Sequence, residues 1–236
     1  MKNFTPSGPV DLRAHYDAMW ERAWAAVARG DVDCDPHLAG GRDPRRGMTL
    51  VARPDPALAA RFGAVQDRLP DADPRQYRQP GADLHLTVLS LFTVTADYGP
   101  QLARRADYAA AVRAAVDGLP AFDIDFHGIT ISRGAVLARG FPRDGTLELL
   151  RARLREQLRA RGLDGSLDQR YRLVTAHSTL LRFVAPPPDP DRLAAALTAL
   201  RDLPLGTMRV EGLQLVVNDW FMSSAAVESI ETYALT

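Results

Sequence analysis

The chain has 236 residues, 46% of them hydrophobic and 25% charged, with 29 basic side chains matched by 29 acidic ones. That profile belongs to a globular chain with a real core, and its balanced charge supplies no long-range field for extended duplex nucleic acid. One cysteine, Cys34, excludes an internal disulfide and a multi-cysteine metal site; one lysine, Lys2, leaves none for a Walker-type phosphate loop or a lysyl-nucleotide intermediate.

No apolar run approaches the ~18 residues of a membrane span, and the opening MKNFTPSGPV lacks the apolar segment of a secretory signal, so a cytoplasmic location is expected. Residues 1–46 read as an N-terminal extension. Within it Leu12, Tyr16, Met19, Trp20, Ala23 and Val27 share one face of a helix ending at Gly30. The following DVDCDPHLAGGRDPRRG reads as a surface loop able to act as a lid, and the carboxylates flanking Cys34 disfavour its thiolate.

From residue 47 a pattern begins that recurs. MTLVAR (48–53) reads as a strand and 54–69 as a helix, with Leu58, Phe62, Val65 and Leu69 on one face, Asp55 as its cap and Pro56 at its first position. A largely buried strand follows at 84–94, then a helix carrying Tyr108, Val112 and Val116 and stopped by Gly118, then an alternating strand at 122–131. The same order returns: a strand at 135–141, a helix marked by Leu147, Leu150, Leu154 and Leu158, a strand at 171–184, a helix at 189–200 with Asp189 and Pro190 at its start, and strands at 208–217 and 229–235. Local spellings repeat with it. Leu119-Pro120 and Gly128 recur as Leu203-Pro204 and Gly212, 84 residues on (212 − 128), and Ala52-Arg53 recurs as Ala138-Arg139. The expectation is a bilobal domain over 47–236, with repeat 1 at about 47–132 and repeat 2 at about 135–236, its two lobes related by a pseudo-twofold axis.

Each copy holds a histidine, one residue, a threonine and an apolar run: DLHLTVLSLF at Asp83–Phe92 and TAHSTLLRF at Thr175–Phe183. Side chains alternate along a strand, so His85 and Thr87 share one face, as do His177 and Thr179. Two imidazoles across a cleft suit phosphodiester displacement, one taking a proton from the incoming oxygen and the other giving one to the leaving oxygen. The two hydroxyls suit the non-bridging oxygens. Arg78 and Arg172 precede the motif strands in both copies and are candidate outer phosphate or nucleotide contacts; Tyr77 and Tyr171, with Trp220 and Phe221, are candidate stacking partners for a base. Arg182, five residues beyond His177, falls on the opposite face of a regular strand and is expected in a structural ion pair. His15, His37 and His127 have no counterpart in the repeat. A metal reading would need a third ligand beside the two histidines, for which Asp83 is the one nearby carboxylate, so no metal site is assigned.

The paired HLTV and HSTL, the duplication and the missing ligase lysine resemble the 2H phosphoesterase superfamily, which includes bacterial 2′,5′ RNA ligase-like proteins and cyclic nucleotide phosphodiesterases. The resemblance covers about residues 47–235. It implies an α+β fold of two pseudo-symmetric lobes, each a mainly antiparallel sheet with helices on its outer face and the motif strands facing a central cleft. It implies also that His85 and His177 act as acid and base and Thr87 and Thr179 on the phosphate, with no metal or other cofactor. Substrates so implied are a small nucleotide, an RNA 3′ end or ADP-ribose carrying a cyclic phosphate, or a 2′,5′ linkage, hydrolysed or ligated without ATP; neither membrane nor duplex DNA is an expected partner. The alternative is a non-catalytic RNA-end or nucleotide-binding protein on the same scaffold. The extension at 1–46 is additional to the minimal family pattern.

Overall fold

The computed structural model describes residues 10–40, 43–69, 76–169 and 172–236. The first half of the chain forms α1 (Leu12–Val27), α2 (Pro36–Gly40), β1 (Arg46–Ala52), α3 (Pro56–Arg68), β2 (Tyr77–Arg78), a 3-10 turn (Gly81–Asp83), β3 (Leu86–Thr95), α4 (Gly99–Ala103), α5 (Arg105–Val116) and β4 (Phe122–Ser132). The second half forms β5 (Ala135–Pro142), α6 (Thr146–Ala160), β6 (Ala176–Arg182), α7 (Pro190–Leu200), β7 (Pro204–Val210), β8 (Gly212–Asn218) and β9 (Glu228–Ala234).

Helix starts follow local chemistry. The Asp55 carboxylate accepts the Leu58 amide at 2.8 Å and the Asp189 carboxylate accepts the Arg192 amide at 3.0 Å, each just ahead of a proline in the first turn. Along α6 the leucines 147, 150, 154 and 158 are all fully buried, so the helix is held by its apolar stripe.

Two antiparallel sheets result, one ordered β3-β1-β8-β9 and the other β2-β6-β5-β4-β7. They are not the two halves of the chain. β4 leaves the first half to pair with β5, while β8 and β9 return from the second half to lie beside β1. The stretch 208–217, expected as one strand, is two: exposed Glu211 separates β7 in one sheet from β8 in the other. Helices cross over in the same way, α3 packing on β6 and β7 and α6 packing on β3.

Strand register carries the duplication into three dimensions. Ala52 pairs with Leu86 in one sheet and Ala138 with Ser178 in the other, which are corresponding positions of the two copies. Ile124 faces Met208 across the β4–β7 ladder, and these are separated by the same 84 residues (208 − 124) as the two glycines. An antiparallel pair whose facing residues are each other's equivalents has a local twofold between them, and this one runs between Ile124 and Met208.

The extension is part of the core. α1 packs on β4 and buries Tyr16, Trp20, Ala23, Ala26 and Val27. Within the segment read as a surface loop, residues 31–35 are tied to the strands beneath: the Asp33 amide donates to the Arg133 carbonyl at 2.8 Å, the Asp35 amide to the Phe183 carbonyl at 3.3 Å, and Arg133 bridges the carboxylates of Asp31 and Asp33.

Candidate functional site

The two motif strands meet through their backbones. Arg151 of α6, almost wholly buried, donates to the carbonyls of Thr87 (3.2 Å) and Val88 (2.8 Å) on β3 and of Val174 (3.1 Å) and Thr175 (2.7 Å) on the approach to β6. In both strands one residue is extra to the ladder, Val88 against Leu50 and Val51, and Leu180 against Val136 and Leu137. These bulges sit at the fourth position of the two motifs. A bulge removes a carbonyl from the ladder and that carbonyl needs another donor. Arg151 supplies it for Val88; the Leu180 carbonyl accepts the Gln79 amide at 2.9 Å and, in addition, Nε2 of Gln66 of α3 at 2.6 Å, which also donates to the Gln79 carbonyl at 2.8 Å.

His85 ends the approach to β3 and His177 is the second residue of β6, both rings part-buried. The Nδ1 of His85 lies 2.7 Å from the Asp83 carbonyl, which can only accept, so Nδ1 carries a proton and the lone pair of the neutral ring is on Nε2. The Nδ1 of His177 lies 2.8 Å from the Thr175 hydroxyl, which can donate or accept, so either tautomer is allowed. Burial holds both rings well below the ordinary imidazole value, His85 at about 4 and His177 at about 3. After burial, the proximity of His85 itself is the next cause at His177, followed by Arg151 and Arg182. The charge of His85 thus reaches His177.

The bulge at Leu180 corrects the expectation for Arg182. One extra residue reverses the alternation, so Arg182 returns to the face of His177, and its positive charge depresses both histidines. Its guanidinium lies 6.0 Å from the Trp220 ring centroid and 5.8 Å from that of Phe221. The corresponding position in the first copy is Ser90, whose hydroxyl donates to the Phe92 carbonyl at 3.1 Å, so only one motif strand contributes a cation to this cleft.

Thr87 and Thr179 lie beside their histidines, the first part-buried and the second buried. Tyr77 pairs with Arg182 in the β2–β6 ladder and its ring is 6.0 Å from Phe221, so it joins the aromatic group at the site. Arg78, the next residue, is exposed and pairs with Asp67 of α3 at 3.2 Å. Arg172 is exposed on the approach to β6, and Tyr171 lies outside the described residues. The carboxylate of Asp83 is engaged by the Ser224 amide at 3.0 Å. His15, His37 and His127 lie on α1, α2 and β4. Among the described residues no group of three or more His, Cys, Asp or Glu could hold a metal ion.

Thr175, Arg151, Gln66 and Tyr16 were not singled out from sequence. Thr175 had a signal, since it stands two before its histidine as Asp83 does; the others arrive from remote helices. A groove of about 720 Å³ lies at the opposite end of β3, lined by Thr93, Thr95, Gln101, Arg104, Ser166 and Gln169 among others, and holds neither histidine.

The model of the family described as "2'-5' RNA ligase superfamily" matches residues 42–219, which span both motifs. The chain belongs to the 2′-5′ RNA ligase superfamily. Solved structures of LigT-like fold agree with the architecture. TT0787 of Thermus thermophilus superimposes with a TM-score of 0.57 at 19% identity, covering 80% of this chain and 97% of that one. E. coli LigT complexed with NADP+ gives 0.53 at 18% identity, covering 81% and 99%; LigT complexed with 3'-AMP gives 0.52 at 17%, covering 81% and 98%. No curated protein sequence matches the chain. At these identities the structural likeness is one of fold, an α+β architecture of two antiparallel sheets.

Proposed function

We propose that this member of the 2′-5′ RNA ligase superfamily is a phosphodiesterase that opens a cyclic phosphate on a nucleotide, an RNA 3′ end or ADP-ribose, or cleaves a 2′,5′ linkage, by paired imidazole acid-base catalysis. The observation that carries the reading is the Arg151 guanidinium, which ties the Thr87 and Val88 carbonyls of the first motif to the Val174 and Thr175 carbonyls beside the second and so sets the two His-x-Thr runs against each other. Structures of LigT hold 3'-AMP and NADP+, which supports a nucleotide as the class of ligand.

In the reaction a water oxygen forms a bond to phosphorus as the cyclic P–O bond breaks. One imidazole accepts the water proton and the other donates to the departing sugar oxygen. Both rings are neutral in the free protein at neutral pH; a phosphate anion between them favours the charged form of one, so binding itself prepares the acid. The hydroxyls of Thr87 and Thr179 and the charge of Arg182 are available to the non-bridging oxygens. Tyr77, Trp220 and Phe221 offer aromatic surface to a base. Acid and base both come from the chain, so the scheme asks for no metal.

The test is turnover of 2′,3′-cyclic nucleotides, ADP-ribose cyclic phosphate and a cyclic-phosphate-ended RNA in excess EDTA, for wild type, His85→Ala and His177→Ala. The expected result is activity that survives EDTA and falls by about 10² or more in each variant. Tight binding of the same ligands with no turnover by wild type would replace this reading with the binding-protein one.

A further inference from the structure

The Thr175–Ala176 peptide group, one removed from the peptide that joins His177, is held from both sides by side chains remote in sequence. Its carbonyl, that of Thr175, accepts from Arg151 at 2.7 Å. Its amide, that of Ala176, donates to the Tyr16 hydroxyl at 3.0 Å, and the same hydroxyl donates to the Gly140 carbonyl at 3.1 Å. Ala176 and Gly140 are partners in the β5–β6 ladder, so the phenol is inserted into the ladder between them. Tyr16 is fully buried and comes from α1, within the part of the chain that lies before the matched family region. Its hydroxyl proton is firmly held, burial pushing it up to about 12.

The first motif is held differently. The corresponding peptide, between Asp83 and Leu84, sits in a 3-10 turn, the Leu84 amide donating to the Pro80 carbonyl at 3.1 Å; Gln79 Nε2 donates to the Asp83 carbonyl at 3.4 Å, and Arg53 donates to the carbonyls of Ala82 (3.1 Å) and Leu84 (3.4 Å), so neither Tyr16 nor Arg151 takes part. His85 then docks on the backbone. His177 docks on a side chain, the Thr175 hydroxyl, whose position depends on a peptide that two remote side chains fix.

We propose that Tyr16 and Arg151 are positioning residues for His177: together they fix the Thr175–Ala176 peptide, and through the Thr175 hydroxyl the ring, in register with the first motif strand. The N-terminal extension is thus a working part of the site. Arg151 does this with a guanidinium fork that also holds the Thr87 and Val88 carbonyls, a geometry a lysine cannot reproduce. The inference deepens the phosphodiesterase reading, on which its kinetic part rests; its structural part stands apart from it.

The experiment records the imidazole ¹⁵N signals and titrations of both histidines by NMR, with cyclic-phosphate turnover alongside, in Tyr16→Phe and Arg151→Lys. Tyr233→Phe is the control, since that buried hydroxyl donates to the Ala109 carbonyl at 3.4 Å on the far edge strand of the other sheet. Tyr16→Phe keeps the buried ring and removes one oxygen, so it carries the test if Arg151→Lys does not fold. The expected result is that His177 changes its signals and titration in Tyr16→Phe while His85 does not, that kcat falls about tenfold with KM little changed, and that the control moves neither ring. An unchanged His177 in folded Tyr16→Phe, or equal movement of both histidines, would overturn the proposal. Displacement of His177 alone in a protein that turns over none of the cyclic phosphates would leave the positioning role standing and remove the catalytic reading.

Discussion

The hydroxyl of Thr175 lies 2.8 Å from Nδ1 of His177, two residues further along the chain, whereas His85 rests on a backbone carbonyl. The ring of the second motif therefore docks on a side-chain hydroxyl that can be removed, and that of the first docks on the backbone. Thr175→Val deletes the hydroxyl with little change of shape. A single hydrogen bond is worth about 1 kcal/mol, so kcat/KM for a cyclic phosphate should fall about five- to tenfold while the fold is kept. Steady-state kinetics with a circular dichroism check would measure it, and unchanged kinetics would detach the hydroxyl from the site.

Stability should fall with acid because of the two histidines. Their folded values, about 4 and about 3, lie below the ordinary 6.5. The unfolded chain thus binds protons between those limits that the native state refuses. The stabilising contribution of the neutral rings is complete above about pH 6.5 and is lost as pH drops through the folded values. Urea midpoints from pH 7 to 4 should decline in wild type, and the decline should be shallower in a His85→Gln, His177→Gln double variant. Parallel curves would contradict the depression.

Arg182 should be visible in those same titrations. Its charge disfavours imidazolium at both positions, so Arg182→Gln should raise the midpoints of both rings, as followed by NMR. If Arg182 also meets a substrate phosphate, KM should rise about tenfold or more, as expected when a charge-assisted hydrogen bond is lost. Rings that titrate as in wild type would return Arg182 to a structural role.

Gly140 leaves no room for a methyl group. A Cβ there would run into the carbonyl oxygen of Ala176, its partner on β6. Gly140→Ala should destabilise the protein by about 1–3 kcal/mol as β5 and β6 are forced apart, seen as a lower Tm. Activity should fall further than stability alone explains, because the displaced residue is next to His177.

What the chain spells locally was legible without a structure. Helix starts at Asp55 and Asp189, the leucine stripe of α6 and the two His-x-Thr runs depend on neighbours within a few residues, and the common order of strands and helices around the two runs pointed to the α+β fold. Tertiary structure decided the rest, because the interactions concerned join residues far apart in sequence. Strand pairing across the Ile124–Met208 twofold sent β4 to one sheet and β8 to the other, which no periodicity encodes. The bulge at Leu180 turned Arg182 inward, since a single extra residue reverses every face that alternation assigns. Tyr16 read in sequence as one member of an apolar helix face and Arg151 was not singled out; packing of α6 and α1 against the sheets buried them and left backbone groups beside His177 as their hydrogen-bond partners.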